Sequence, residues 1–154
     1  MTEPNQSGQL YAEVQHFYAR QTHLLDGREF EDYAATFTED GEFLHSPGRP
    51  AAKTRQGIVR ELRDFHRKFD EDPVVRRHWF NMIVLDPAPD DVLNATFYAL
   101  VATTRPGGRI DVSPSCVVHD VLVRENGELR TKSRRVVQDR LLFEESAAAV
   151  GAAG

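Results

Sequence analysis

Apolar positions recur along this chain with two different periods, and the change between them divides it. Over residues 9–25, Leu10, Val14, Phe17, Gln21 and Leu24 line up at helical spacing, with Tyr11, Tyr18 and Leu25 widening the stripe. That pattern predicts a helix, and Gly27 stands where a helix C-terminal glycine belongs. A short second helix is predicted from Phe30 to Phe37, then an acidic turn at Thr38-Glu39-Asp40-Gly41 and a short strand over residues 42–45. Pro47-Gly48-Arg49-Pro50 excludes regular structure, and a third helix follows over residues 54–69, with Ile58, Leu62, Phe65 and Phe69 on one face. From Val74 onward the period becomes two. Strands are predicted over residues 74–86, 92–104, 109–124 and 129–142, the last two joined through Asn126-Gly127, a strong hairpin signal.

Helices first and an antiparallel meander afterwards define an α+β domain, a cone-shaped barrel with N-terminal helices packed on a curved, mostly antiparallel sheet. One domain is predicted over residues 9–143, between loose ends at residues 1–8 and 144–154. At 154 residues the chain is long enough to bury a core of its own.

Charge and cysteine count narrow the function classes. A net charge of -5 argues against a broad nucleic-acid-binding face. The arginine clusters (Arg60, Arg63, Arg67; Arg76, Arg77; Arg134, Arg135) read as solvated faces beside acids such as Glu61, Asp64 and Asp70. The single cysteine, Cys116, excludes an internal disulfide framework and any multi-thiolate metal site. No run approaches the ~20 apolar residues of a membrane span. Residues 1–8 lack an apolar signal core, so a cytoplasmic location is the default. The six histidines form no HxH or HExxH spacing, and Gly-rich phosphate loops are absent, so no metal, nucleotide or flavin cofactor is expected.

Tyr18 through Asp26, Phe30-Glu31-Asp32-Tyr33 through Phe37-Thr38-Glu39-Asp40-Gly41, and the closing strand from Arg134 to Leu141 resemble the nuclear-transport-factor-2-like superfamily. Closer in, they are similar to its SnoaL-like group, which includes polyketide cyclases, scytalone dehydratase and the beta subunits of aromatic-ring-hydroxylating dioxygenases. The resemblance covers roughly residues 8–143 and implies the fold more specifically than the function, because this scaffold hosts enzymes, binders and structural subunits. Scytalone dehydratase-like members use an Asp ending the first helix and a His opening the first long strand, which by motif position correspond to Asp26 and His78. They also place a polar residue on the short strand after the helices, here His45, and a further histidine on the penultimate strand. At that last position this chain departs from the pattern: Ser115 occupies it rather than His119.

The residues themselves carry part of the same reading. A negative charge at a helix C-terminus opposes the macrodipole at a cost of roughly 0.3–1 kcal/mol, so Asp26 stands in a disfavoured place, although it also fits a turn residue before Gly27. His78, Phe80, Met82 and Val84 share one side of a strand that is apolar enough to face a cavity. An imidazole held at one nitrogen by a carboxylate presents the other as a general base or acid. His45 shares a face with Phe43. Tyr18 and Tyr33 are candidates to bind a substrate carbonyl, or core aromatics. Asn94, Thr96 and Tyr98 share one side, as do Ser113, Ser115, Val117 and His119, and parity leaves open which sides face inward. The candidate set is therefore Asp26 and His78 for catalysis, with His45, Tyr18, Tyr33, Ser115 and Tyr98 for substrate binding. The expected activity is cofactor-independent acid–base chemistry (dehydratase, isomerase or cyclase) on a polyketide-like or aromatic small molecule, in a homodimer. Two alternatives stand beside it: a non-catalytic dioxygenase beta subunit partnered by an iron-bearing alpha subunit, and a ligand-binding module.

Overall fold

The computed structural model of the chain describes residues 4–144, and residues 1–3 and 145–154, which belong to the two predicted loose ends, lie outside the described residues. The first helix, α1 (Pro4–Asp26), begins earlier than its apolar stripe, so part of the segment read as loose is helical. Its buried axis runs through Val14, Tyr18, Gln21 and Leu25. The helix ends in a Schellman turn: the Arg28 N–H donates to the Leu25 carbonyl at 3.0 Å and the Glu29 N–H to the Leu24 carbonyl at 2.9 Å. The left-handed residue is Arg28 (φ 58°), one position later than the glycine the sequence suggested. Arg28 tolerates that strained backbone while its guanidinium holds Asp70 at 3.0 Å.

α2 (Phe30–Ala35) is followed directly by β1 (Phe37–Leu44), β2 (Ala52–Lys53) and α3 (Thr54–His66), which runs into a 3-10 turn at Arg67–Phe69. The acidic stretch read as a turn is thus the first half of a strand. Four long strands follow: β3 (Val75–Ala88), β4 (Val92–Thr104), β5 (Ile110–Glu125) and β6 (Glu128–Gln138). β6 stops short of the predicted boundary, and residues 140–144 form a helical turn. The six strands form one sheet in the order β2-β1-β6-β5-β4-β3, antiparallel except where β1 runs parallel to β6. Helices packed on a six-stranded, mostly antiparallel, curled sheet are the predicted α+β architecture.

Two apolar clusters fill the cone. One joins α1 to β3, β4 and β5 through Val14, Tyr18, Ile83, Phe97 and Val118; the other joins α2 and α3 to β1 through Phe30, Tyr33, Phe37, Ile58 and Leu62. Between Asn81 and Val84 the β3–β4 register shifts, with Met82 in the left-handed region at φ 56°. This bulge corrects the parity read from sequence. His78 and Phe80 face inward, but beyond the bulge the inward residue is Ile83, while Met82 and Val84 are exposed. On β4 the odd-numbered residues from Leu93 to Thr103 point in, and on β5 Cys116, Val118, Asp120 and Leu122 do so.

Candidate active site

The Schellman turn aims the last residue of α1 at the opening of β3. Asp26 follows Thr22 by one helical turn and sits at the edge of the buried axis. Its Oδ1 lies 2.6 Å from His78 Nδ1, and both carboxylate oxygens also accept the His78 backbone N–H at 3.3 and 3.2 Å. The side chains are 9% and 13% exposed, so the pair is shielded but reachable. With Nδ1–H donated to Asp26, His78 Nε2 has no hydrogen-bond partner among the described residues, and the ring lines a cavity.

That cavity, of about 310 Å³, lies between α2, α3 and the sheet. Its walls include Leu62, Phe65, Phe80, Val101, Cys116 and Val136, an apolar lining interrupted by a few polar groups. His45 is one of them, stacked on Phe43 at 5.0 Å. Both of its nitrogens are engaged: Nε2 contacts Glu61 Oε1 at 2.8 Å and Nδ1 contacts Ser46 Oγ at 2.9 Å. Glu61 is further held by Arg49. Burial holds the His45 imidazole below its ordinary proton affinity, against the raising effect of Glu61. His45 therefore lines the cavity without a free ring nitrogen.

The two tyrosines divide. Tyr18 donates its hydroxyl to Asp120 Oδ2 at 2.9 Å and is not part of the cavity wall. Tyr33 lines the cavity and accepts from Arg134 Nη1 at 3.0 Å, which leaves its own O–H free of any acceptor among the described residues. Burial raises both phenols above their ordinary range, so both are donors rather than phenolates. Tyr98 and Ser115 are placed away from the cavity. Tyr98 is 60% exposed on the outer face of β4 and Ser115, also outward, donates to Asp139 at 2.5 Å. Strand parity is the cause, since their neighbours Phe97, Ala99 and Cys116 take the inner face.

Three residues of the site were not identified from sequence. Arg134, read as part of a solvated cluster, is 2% exposed and forms a two-pronged ion pair with Asp120, Nε to Oδ1 at 2.9 Å and Nη2 to Oδ2 at 2.7 Å. Gln21 and Tyr33 take its remaining contacts. Desolvation works against its charge, but Asp120 more than compensates and holds the guanidinium firmly protonated. The two residues face one another directly across β5 and β6, and Asp120 interrupts an otherwise apolar inward row, which was the available signal. Arg76, also read as solvated, shares the inner side of β3 with His78 and lines the cavity. His66, at the end of α3, contacts the Leu62 carbonyl through Nδ1 at 2.8 Å, and its Nε2 lies 3.3 Å from Arg76 Nη1. Burial drives the His66 imidazole down to about 4, so it stays neutral.

The geometry supplies a held imidazole, a phenolic donor and an apolar enclosure, which suit proton transfer next to a polarised carbonyl. Among the described residues no group of three or more His, Cys, Asp or Glu side chains is arranged to hold a metal ion. Among the described residues no helix is long and apolar enough to cross a membrane.

Comparison with known proteins places the chain in a family. The chain belongs to the SnoaL-like domain family, which matches residues 7–135. Among solved structures it is similar to ActVI-ORFA from Streptomyces coelicolor, with 53% identity over 85% of this chain and 98% of that one and a TM-score of 0.80. It is also similar to a protein from Catenulispora acidiphila in complex with S-DNPA, with 51% identity over 89% and 98% of the two chains and a TM-score of 0.82. An NTF2-like protein with a cystatin-like fold from Novosphingobium aromaticivorans shares the fold, at 20% identity over 90% and 92% of the two chains and a TM-score of 0.71. No curated protein matches the chain.

Proposed function

We propose that the protein is a cofactor-independent enzyme that abstracts a proton beside a carbonyl of a polyketide-like or aromatic substrate, leading to dehydration, isomerisation or cyclisation. The observation that carries this is the 2.6 Å Asp26–His78 contact at the wall of the cavity, with Nε2 left open. The SnoaL-like relationship and the S-DNPA complex of the Catenulispora acidiphila protein support a small-molecule ligand.

In this mechanism His78 takes the C–H proton at Nε2 while its Nδ1–H keeps donating to Asp26. The resulting imidazolium is stabilised by the carboxylate. The electron pair moves onto the carbonyl oxygen, which accepts the free O–H of Tyr33, itself polarised by Arg134. His78 then returns the proton, either to a leaving hydroxyl, which departs as water, or to another carbon. A donor aimed at developing negative charge is worth roughly 10²–10³ in rate.

The test uses 2-tetralone, a bicyclic ketone with acidic C–H bonds, in deuterated water, following deuterium uptake by NMR. The protein should accelerate exchange, and Asp26→Asn and His78→Gln should each abolish the acceleration while leaving the melting transition nearly in place. Full exchange activity in either variant overturns the mechanism.

The protein acts, on this reading, as a homodimer through the outer face of β3–β5. There Trp79 (67% exposed), Leu100 and Val112 form an apolar patch, with Trp79 and Leu100 paired across strands. Exposed apolar side chains gathered on one sheet face support such an interface. Co-purification with a larger iron–sulfur protein in place of self-association would instead favour the dioxygenase beta-subunit reading.

A further inference from the structure

The cavity wall contains no carboxylate among the described residues, yet it carries Lys68, Arg76 and Arg134. Arg134 is neutralised by Asp120, but the other two are in contact with no carboxylate among the described residues. Neither Arg76 nor Lys68 forms a salt bridge with any described residue, in a protein whose net charge is -5. Arg76 has five N–H donors and makes one hydrogen bond, to the neutral His66 ring. Its guanidinium carbon lies 5.5 and 5.4 Å from the Phe65 and Phe69 ring centres, and Lys68 Nζ lies 4.0 Å from that of Phe65. Both cations are thus gathered on one aromatic shelf at the α3 side of the cavity. A half-buried guanidinium is ordinarily paired with an acid, whereas here Asp26, whose charge reaches Arg76, is committed to His78 and makes no salt bridge with the guanidinium.

Resting on the acid–base reading above, we propose that the substrate carries a carboxylate, which binds between Arg76 and Lys68 and thereby sets the reactive carbon against His78. Arg76 and His78 are alternate residues on one side of β3, so the anchor and the base lie about 7 Å apart along the strand. This fits an aromatic acid with its reactive carbon a ring's width from its carboxylate. Burial lowers the proton affinity of Arg76, with Asp26 opposing that effect. Lys68 is lowered by burial and then by the neighbouring positive charges of Arg76 and Arg49. A bound anion relieves this crowding. His66 Nε2 faces Arg76 Nη1, and its neutral ring adds no further positive charge.

The experiment is a calorimetric titration of the full chain with 2-naphthoate and with 2-naphthamide, its neutral counterpart, at low ionic strength. A charge-assisted contact of this type corresponds to roughly 10–100-fold in affinity, so the protein should prefer naphthoate by at least tenfold. Arg76→Gln should remove most of the preference, Lys68→Gln part of it, and Arg76→Lys should retain more than Arg76→Gln. His78→Gln should keep the preference intact, which separates failure of the anchor from failure of the base. Equal affinity for the two compounds, no binding of naphthoate, or an undiminished preference in Arg76→Gln overturns the proposal. If Arg76→Gln does not fold, Lys68→Gln decides: a reduced preference supports the anchor, and an unchanged one overturns it.

Discussion

Replacing Asp120 by Asn removes the negative member of an ion pair whose side chains are 1% and 0% exposed for Arg134 and Asp120. The carboxylate accepts Arg134 Nε, Arg134 Nη2 and the Tyr18 hydroxyl, so it holds α1 to the two strands beneath it. Asparagine keeps the shape but offers one acceptor oxygen and turns an NH2 towards groups that are themselves donors. The guanidinium then remains buried without its counter-charge, for which the expected loss is about 3–5 kcal/mol. Against a typical total stability of about 5–15 kcal/mol, the variant should fold but unfold at much lower denaturant. Urea denaturation followed by far-ultraviolet circular dichroism measures this, with an unchanged slope showing that the unfolding reaction is the same. Arg134→Met supplies the second edge of a double-mutant cycle. Once the cation is gone, losing Asp120 should cost far less, giving a coupling of about 3 kcal/mol. A loss below about 1 kcal/mol in Asp120→Asn, or additive single effects, refutes this account of the pair.

Four further outcomes follow from the same structure. His66 binds a proton less readily folded (about 4) than at its ordinary 6.5, so the unfolded state takes up more protons between those values. Its contribution is therefore complete above pH ~6.5 and is lost as pH falls towards 4; allowing for the ring's access to the cavity, the loss is about 2 kcal/mol. His66→Gln should flatten that part of the urea-midpoint profile, and an identical profile refutes it. Tyr33→Phe should slow tetralone exchange by about 10²-fold with a stability change near 1 kcal/mol, and unaltered exchange excludes the phenol as donor. Burial pushes the Cys116 thiol up to about 11, so a disulfide reagent at pH 8 should modify the folded protein at least ~10²-fold more slowly than the urea-unfolded chain; an immediate reaction contradicts its burial. Trp79→Asp should convert a dimer to a monomer in light scattering, and a monomeric parent protein removes that interface.

The long helices and strands were legible because burial on one side writes a clean period into the sequence. What was hidden involves exceptions to a period. Residues 38–41 contain two acids and a glycine and read as a turn, yet they belong to β1. Gly41 is required there because a Cβ would stand 2.9 Å from the Thr38 carbonyl and 3.0 Å from Phe37 Cβ. The bulge at Met82 reverses the inner and outer faces halfway along β3, so alternation identifies His78 and Phe80 but misplaces Met82 and Val84. Asp26 and His78 were accessible from their family positions and from the odd location of a carboxylate at a helix end. Arg76 and Arg134 were not, because each sits beside an exposed arginine and a local charge count treats both members alike. Only the cross-strand partners distinguish them.

Hydrogen-bond accounting separates the scaffold from the candidate chemistry more sharply than residue type does. Two of the shielded carboxylate pairs among the described residues show this, Asp120 with Arg134 and Asp26 with His78. In the first, the carboxylate is saturated by the guanidinium and Tyr18, and the guanidinium spends its other contacts on Gln21 and Tyr33. A saturated buried pair is costly to disturb and suits a fixed framework. In the second, the carboxylate fixes one ring nitrogen and leaves the other open. The same distinction sorts Tyr33 from Tyr18 and His78 from His45, since in each comparison one residue keeps a free O–H or ring nitrogen and the other does not. The residues with capacity left, His78, Tyr33 and Arg76, come from β3 and α2 and meet in one cavity. Buried polar groups are ordinarily paired, so three shielded side chains with spare capacity facing a common space call for a partner that the fold itself does not provide. A polar, anionic ligand with an apolar ring meets that requirement, and that convergence is the physical basis for treating the cavity as an active site.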